Sequence, residues 1–172
     1  MKEFVLTTER LIIREPRIGD AELLMPMFSD PVAMRYIGNG APRDLKTVQE
    51  SIDKRIAYLT ETGTTLFTVI LQLTGEVIGD CGIFPYNWEG PEIELAYRFR
   101  QTAWGNGYAS EAGRAVIDAG WRDTEINELL GVTDLRNHAS QRVLTKLGFE
   151  NLGTIDRYYD EELSHFRLRR PQ

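Results

Sequence analysis

The feature that most narrows the possible folds lies near the middle of the chain, where a strand pattern runs through a glycine bend into a helix pattern. From Ile93 to Phe99, Ile93, Leu95, Tyr97 and Phe99 alternate with Glu94, Ala96 and Arg98, the period-two signature of a strand. Gly105 and Gly107 then bracket Asn106. A helix is expected over residues 106–122. Ala109, Ala112, Gly113, Val116, Ala119 and Gly120 form a stripe of small residues on it, and Glu111, Arg114, Asp118 and Arg122 lie opposite. Glycine lets backbone approach a ligand with no Cβ in the way, and the first amides of a helix have no internal acceptor. Such a bend holds a phosphate or diphosphate without any basic side chain. The competing reading is a tight turn that only reverses the chain.

The surrounding pattern alternates strands and helices, which argues for an α/β or α+β fold. Arg10 to Arg14 reads as a strand. A helix follows with Asp20 as its N-cap and Leu23, Leu24 and Met27 on its apolar face, ending before Pro31. Residues 44–60 read as a helix capped by Asp44, with Val48, Ile52, Ile56 and Leu59 at helical spacing. Thr65 to Leu71 and Val77 to Phe84 form a hairpin about Gly75-Glu76, and a loop from Pro85 to Pro91 carries Tyr86 and Trp88. Leu129 to Thr133 is a strand, and Ala139 to Leu147 a helix stopped by Gly148. Closing strands start at Phe149 and span His165 to Leu168, with a turn at Asp160-Glu161-Glu162. The 172 residues suit one domain, 1–172. A dinucleotide-binding fold is disfavoured: its third glycine falls on Ser110, and the bend comes late, behind a hairpin.

Charge and cysteine usage exclude other classes. Twenty Lys and Arg against 26 Asp and Glu give a net charge of −6, which suits neither non-specific nucleic-acid binding nor an anionic membrane surface. Cys81 is the one cysteine, so no intrachain disulfide forms, and with His138 and His165 as the only histidines no dedicated metal site is expected. No G-x-S-x-G elbow or P-loop is present. The start, MKEFVLTTERL, lacks an apolar leader core, and no apolar run approaches the roughly 18 residues of a spanning helix. A cytoplasmic protein is expected.

At this point the residues resemble the GNAT superfamily of N-acetyltransferases, and within it the RimJ/RimL-like branch of ribosomal-protein N-terminal acetyltransferases. The family motif Q/R-x-x-G-x-G/A falls on Trp104, Gly105, Asn106, Gly107, Tyr108 and Ala109, departing at its first position, where Trp104 stands. The run WGNGYASEA resembles the branch's W-G-x-G-Y-A-x-E-A. Asn137-His138-Ala139-Ser140 followed by Lys146-Leu147-Gly148-Phe149 resembles N-x-x-S-x(5)-K-x-G-F. Thr8 to Arg14, followed by Asp20, resembles the branch's opening T-x-R-L-x-L-R. The three matches span about residues 7–170.

The resemblance implies a mixed, mostly antiparallel sheet, splayed at its middle and flanked by helices. It also implies acetyl-CoA as co-substrate, no metal, and an amine acceptor, with a protein N-terminal α-amine as one candidate and a small amine as another. A monomer or a homodimer fits equally. The diphosphate would sit on the amides of Gly105 to Ala109, and the backbone of Tyr97, Arg98 and Phe99 would pair with the pantetheine arm. Transfer by direct attack needs a base, a held carbonyl and help for the departing thiolate. Glu94 is the candidate base and Glu92 its runner-up; each has a competing reading as a solvated strand carboxylate. Ser140 is the candidate donor to the thiolate, with a plain first-turn serine as the alternative. Asn137 reads as a helix cap or, as the family implies, a pantetheine ligand. The slot where many relatives carry a tyrosine acid holds Leu144, which leaves Tyr108, Tyr158 and Tyr159. Glu111 is expected to pair with Arg114. Arg142 and Lys146 are candidates for the 3′-phosphate, Trp104 for packing under the turn, Trp88 and Tyr86 for the acceptor pocket, and Cys81 for a packed strand residue. A non-catalytic acyl-CoA sensor is the alternative from another class.

Overall fold

A computed structural model describes residues 4–159 and 161–171. Eight strands form one sheet: β1 (Val5–Thr7), β2 (Leu11–Arg14), β3 (Thr65–Leu71), β4 (Val77–Pro85), β5 (Ile93–Phe99), β6 (Glu128–Asp134), β7 (Glu150–Ile155) and β8 (Leu163–Arg169), in the order β1-β2-β3-β4-β5-β6-β8-β7. Every neighbouring pair is antiparallel except β5 and β6, which run parallel and meet in register only at Glu94 and Leu130. The expected mixed and mostly antiparallel sheet is present, and the lone parallel pair is where it splays.

Helices cover both faces: α1 (Asp20–Phe28), α2 (Pro31–Met34) and α3 (Leu45–Thr62) on one, α4 (Tyr108–Asp123) and α5 (His138–Lys146) on the other. The main core joins Leu11, Ile13, Phe67, Val69, Cys81 and Leu95 to Ala112, Val116 and Ile117 of α4. The small-residue stripe lets α4 lie close to the sheet. A Cβ added at Gly120 would stand 2.4 Å from Ile83 Cδ1. The second core packs Leu24, Met27 and Phe28 of α1 against Val48 and Ile52 of α3. Asp44 caps α3 as expected, accepting from Thr47 N at 2.8 Å, and Gly63 ends it with φ +74°.

Three expectations need correction here. Asp20 is the first helical residue rather than the cap of α1, and Gly19 occupies the cap position. The Asp20 carboxylate is buried and is drawn to a stronger partner, accepting from both terminal nitrogens of Arg14 at 2.8 and 2.6 Å and from Thr68 Oγ1 at 2.6 Å. Leu23 is half-exposed, outside the α1 contact stripe. β1 went unread because three half-exposed residues give no usable pattern. Of the closing turn, Glu161 and Glu162 are described and Asp160 lies outside the described residues.

The face toward α1 and α3 carries a buried polar row. Arg14, Thr68, Asp80 and Arg98 are successive cross-strand neighbours over β2, β3, β4 and β5. Asp80 is fully buried and meets Arg98 through two hydrogen bonds, at 2.8 and 2.9 Å, and Arg55 of α3 at 3.0 Å. Removing one member of a buried ion group leaves the others uncompensated. Asp80→Asn is therefore expected to cost about 3–5 kcal/mol of unfolding free energy, read by denaturant titration. A change below about 1 kcal/mol would show that water replaces the carboxylate.

Candidate active site

Beyond the Glu94–Leu130 register point, β5 and β6 diverge and a cleft of about 1380 Å³ opens between them. Its walls are the outer edge of β5, the Val132–Asp134 end of β6, the first turns of α4 and α5, and the chain between α2 and α3. Along Leu95 to Phe99, β5 has β4 on one side and no strand on the other. Backbone N–H and C=O groups there are free for an extended ligand. The Phe99 carbonyl is an exception, since the indole N–H of Trp104 donates to it at 2.8 Å. Trp104 is half-exposed and lines the cleft at this end of the edge. The Arg98 side chain lies on the α1–α3 face, where Asp80 holds it, so along the free edge itself the residue offers its backbone.

Gly105 and Gly107 lie in the left-handed region, at φ +76° and +82°, where any other residue is strained. Gly107 precedes α4 with no side chain capping the helix, so the first amides stay open. The bend is braced from behind. Glu111 accepts from Thr8 Oγ1 at 2.6 Å, Arg10 N at 2.9 Å and Arg10 Nε at 2.7 Å. Arg10 Nη1 in turn donates to the Asn106 carbonyl at 2.9 Å. Because a trans peptide sets C=O and N–H in opposite directions, holding the Asn106 carbonyl toward Arg10 turns the Gly107 N–H the other way. This corrects the expected Glu111–Arg114 pair. Arg114 instead reaches the Lys146 carbonyl at 3.3 Å.

Glu94 is 6% exposed and lines the cleft. Burial pushes its carboxyl up to about 7, against the pull of a hydrogen bond from Tyr159 and the charge of Arg98. Tyr159 OH donates to Oε2 at 2.5 Å, and the Tyr159 N–H donates to Tyr86 OH at 2.7 Å. Tyr159 takes φ +57°, a costly conformation for a tyrosine that aims its ring at the cleft. Glu92 is different: it is paired with Arg157, half-exposed and away from the cleft walls, so the runner-up is a surface carboxylate.

On the opposite face of β5, Tyr97 OH lies 2.9 Å from Ser140 Oγ, with either oxygen able to donate, and 3.0 Å from the Ser140 carbonyl. Burial drives the Tyr97 phenol above its ordinary value. Sequence reasoning named Tyr97 for its backbone and missed its hydroxyl. The available signal was the alternation that sets Tyr97 against Glu94 on the two faces of one strand. Tyr158 is buried among Tyr86 and His165 and Tyr108 lies under the Arg10 guanidinium; among the described residues the tyrosine bonded to Ser140 is Tyr97. Asn137 caps α5, its Oδ1 accepting from Ser140 N at 3.2 Å. Arg142 and Lys146 line the cleft as exposed side chains of α5. Trp88 lines it too, stacked 4.5 Å from the Phe84 ring, whereas Tyr86 stands behind Tyr159. Cys81 is fully buried with its thiol pushed up by desolvation, as expected of a packed residue.

A parted strand pair stands beside an uncapped glycine bend, with a buried carboxyl and a partly buried tyrosine on the two faces of one strand. The acetyltransferase (GNAT) domain family matches residues 10–150, and the chain belongs to that family. It is an acetyl-CoA-dependent acetyltransferase. An uncharacterized N-acetyltransferase p20 of Bacillus licheniformis is 30% identical over 153 residues, which are 89% of this chain and 86% of that protein. An acetyltransferase of Agrobacterium tumefaciens superposes with a TM-score of 0.82 at 26% identity, covering 99% of this chain and 96% of its own. RimL, an L7/L12 α-N-protein acetyltransferase crystallised with coenzyme A, superposes at 0.81 over 96% and 98% of the two chains. At 11% identity that likeness shows the fold alone.

Two predictions follow from the geometry. Glu94 titrates near 7 folded against an ordinary 4.5, so the fold loses stability as pH rises between those values. Glu94→Gln should match the parent below pH 4.5 and exceed it above pH 7, by up to about 3 kcal/mol at 1.36 kcal/mol per pH unit. Unfolding across a pH series reads this, and a difference independent of pH would refute it. Glu111→Ala frees Arg10 from the bend, so its affinity for coenzyme A should fall by about tenfold in calorimetry while Glu94-dependent titration is unchanged. Unaltered affinity would show that the brace is dispensable.

Proposed function

We propose that the chain, taken as one transferase unit over residues 1–172, moves an acetyl group directly from acetyl-CoA to an amine within a ternary complex. Glu94 is the base and the Tyr97–Ser140 hydroxyl pair the proton donor to sulfur. The amine nitrogen attacks the thioester carbonyl carbon and the C–S bond breaks. The proton lost by nitrogen goes to the Glu94 carboxylate, and the departing sulfur takes one from the hydroxyl pair. The observation that carries this reading is the buried Glu94 carboxyl, held near 7 on the cleft wall, with the partly buried Tyr97 hydroxyl on the other face of the same strand.

The open amides of Gly105 to Ala109 suit the diphosphate, and the free edge of β5 suits the amide groups of the pantetheine arm. Among the described residues no hydrogen bond uses the amide nitrogen of Asn137, which suits the same arm, and Arg142 and Lys146 suit the 3′-phosphate. Direct attack also agrees with Cys81, whose buried, desolvated thiol makes a poor relay nucleophile.

The position of Glu94 on the pH scale favours one acceptor class. Passing a proton from an α-ammonium, near 7.7–8.0, to a group near 7 costs about 1 kcal/mol. From a lysine-type ammonium near 10.4 it costs about 4–5 kcal/mol. An α-amine, such as the N-terminus a RimJ/RimL-like enzyme acetylates, is thus the better match. The lone free cysteine suits a reducing, cytoplasmic setting.

The test is turnover with a panel of α-amines and N-terminal peptides, followed by free-thiol release. The parent should lose kcat/KM about tenfold per pH unit below 7. Glu94→Gln should lose 10²–10⁴-fold in kcat along with that acidic limb, with acetyl-CoA affinity retained. Tyr97→Phe should lower kcat with KM little changed. Undiminished turnover by Glu94→Gln refutes the base. Tight acetyl-CoA binding with no turnover of any amine would favour the coenzyme-sensor reading.

A further inference from the structure

The α1–α3 side of the cleft carries positive charge that the protein's own carboxylates do not balance. In the buried row, Asp20 answers Arg14. Asp80 alone answers both Arg98 and Arg55. Arg43, on the chain between α2 and α3, is half-buried and lines the cleft, yet among the described residues no carboxylate bonds to it. Its guanidinium lies 5.4 Å from the centre of the Phe28 ring, which the Arg98 guanidinium shares at 5.2 Å. Among the described residues Asp80 is the one carboxylate in direct contact with these guanidiniums, and Glu94 acts on Arg98 only at a distance, so the desolvated layer keeps an excess of positive charge. Burial and mutual repulsion lower both Arg43 and Arg55, the latter to about 10, and among the described residues Asp80 is the acid that opposes this.

Charge left unpaired against a cleft is costly for the empty protein, and an anion entering the cleft relieves it. The coenzyme's own phosphates are expected elsewhere, at the bend before α4. Arg98 engages Asp80 through Nε and Nη2, and among the described residues no hydrogen bond uses its Nη1. A guanidinium fork suits a carboxylate especially well.

We infer that the amine this enzyme acetylates carries a carboxylate of its own, which Arg43 binds with Arg98 beside it. The inference rests on the transfer reading above and deepens it. Glu94 and Arg98 share a strand face four residues apart, about 13 Å along β5 at 3.3 Å per residue. The carboxylate thus belongs several bonds from the reacting nitrogen, on a side chain rather than on the same carbon. A free amino-acid derivative and the N-terminus of an acidic peptide both present that chemistry.

Paired acceptors separate these outcomes. Glutamic acid α-amide is compared with glutaminamide, and Ala-Glu-Ala-amide with Ala-Gln-Ala-amide, so that each pair differs only in a carboxylate. The wild-type chain should favour the carboxylate member at least tenfold in kcat/KM. Preference in the first pair marks a small-molecule acceptor, and in the second a peptide. In Arg43→Met the preference should shrink below about threefold, and Arg43→Lys should restore part of it, with acetyl-CoA affinity held in both. Equal use of both members by the wild type, or an undiminished preference in Arg43→Met, overturns the inference. So does an equal loss of acetyl-CoA affinity, which would make Arg43 a coenzyme ligand. If no member is acetylated, the transfer reading fails for these amines, and the carboxylate site is read by binding alone. Tryptophan fluorescence of the acetyl-CoA-saturated enzyme is then titrated with glutarate and with glutaramide. Glutarate binding that weakens tenfold or more in Arg43→Met upholds the site, and indifference to the carboxylate removes it.

Discussion

The parting of β5 from β6 is the constraint on which the rest depends. Parallel neighbours joined by a crossover helix normally pair along their length, and buried backbone groups are almost always satisfied. Here pairing stops at Glu94 and Leu130, and the following residues of β5 turn an unpaired edge to a cleft. The bend at Gly105 and Gly107 follows directly from that strand, so a free strand edge and an open helix start face the same space. One ligand that is both extended and anionic fits the two together. A flat eight-stranded sheet would have offered neither.

The same divergence gives one strand two chemical faces. Side chains at Glu94 and Tyr97 point to opposite sides of the sheet, and within a paired sheet they would never meet a common ligand. Where β6 withdraws, both reach the cleft. Desolvation then acts on each in the same direction. It raises the carboxyl to about 7 and the phenol above its ordinary value, the separation that the proposed base and proton donor require. The division of roles needs no special residues, only burial from a surface that also opens inward.

Much of this was legible in the sequence, for physical reasons that also mark where legibility ended. Alternation of residue types identified β5, whereas the hairpin of β3 and β4, buried on both faces, was read from its β-branched apolar runs and the turn at Gly75-Glu76. The stripe from Ala112 to Gly120 identified α4 because close packing demands small side chains. Misreadings arose where a local rule competed with a distant partner. Asp20 has the look of a cap, but a buried guanidinium from β2 claims it. Glu111 has Arg114 at helical spacing, yet its partner is Arg10, 101 residues away. The tie between Tyr159 and Glu94 spans 65 residues and leaves no local trace at either end.

The Glu111 case explains why the sequence matches were informative together and weak apart. The opening Thr8-Glu9-Arg10 segment lies far in sequence from the bend it supports, and it contributes no group to the cleft itself. Its role is to grip Glu111 and the Asn106 carbonyl from behind. Backbone amides bind an anion well only when they are already pointed at it, because turning them on arrival consumes the affinity gained. A glycine bend is soft by nature, and the two glycines that permit the geometry do not enforce it. Enforcement comes from the ion pair at its back, so a motif at the amino terminus and a motif in the middle of the chain are two halves of one braced bend, the one proposed to hold the diphosphate.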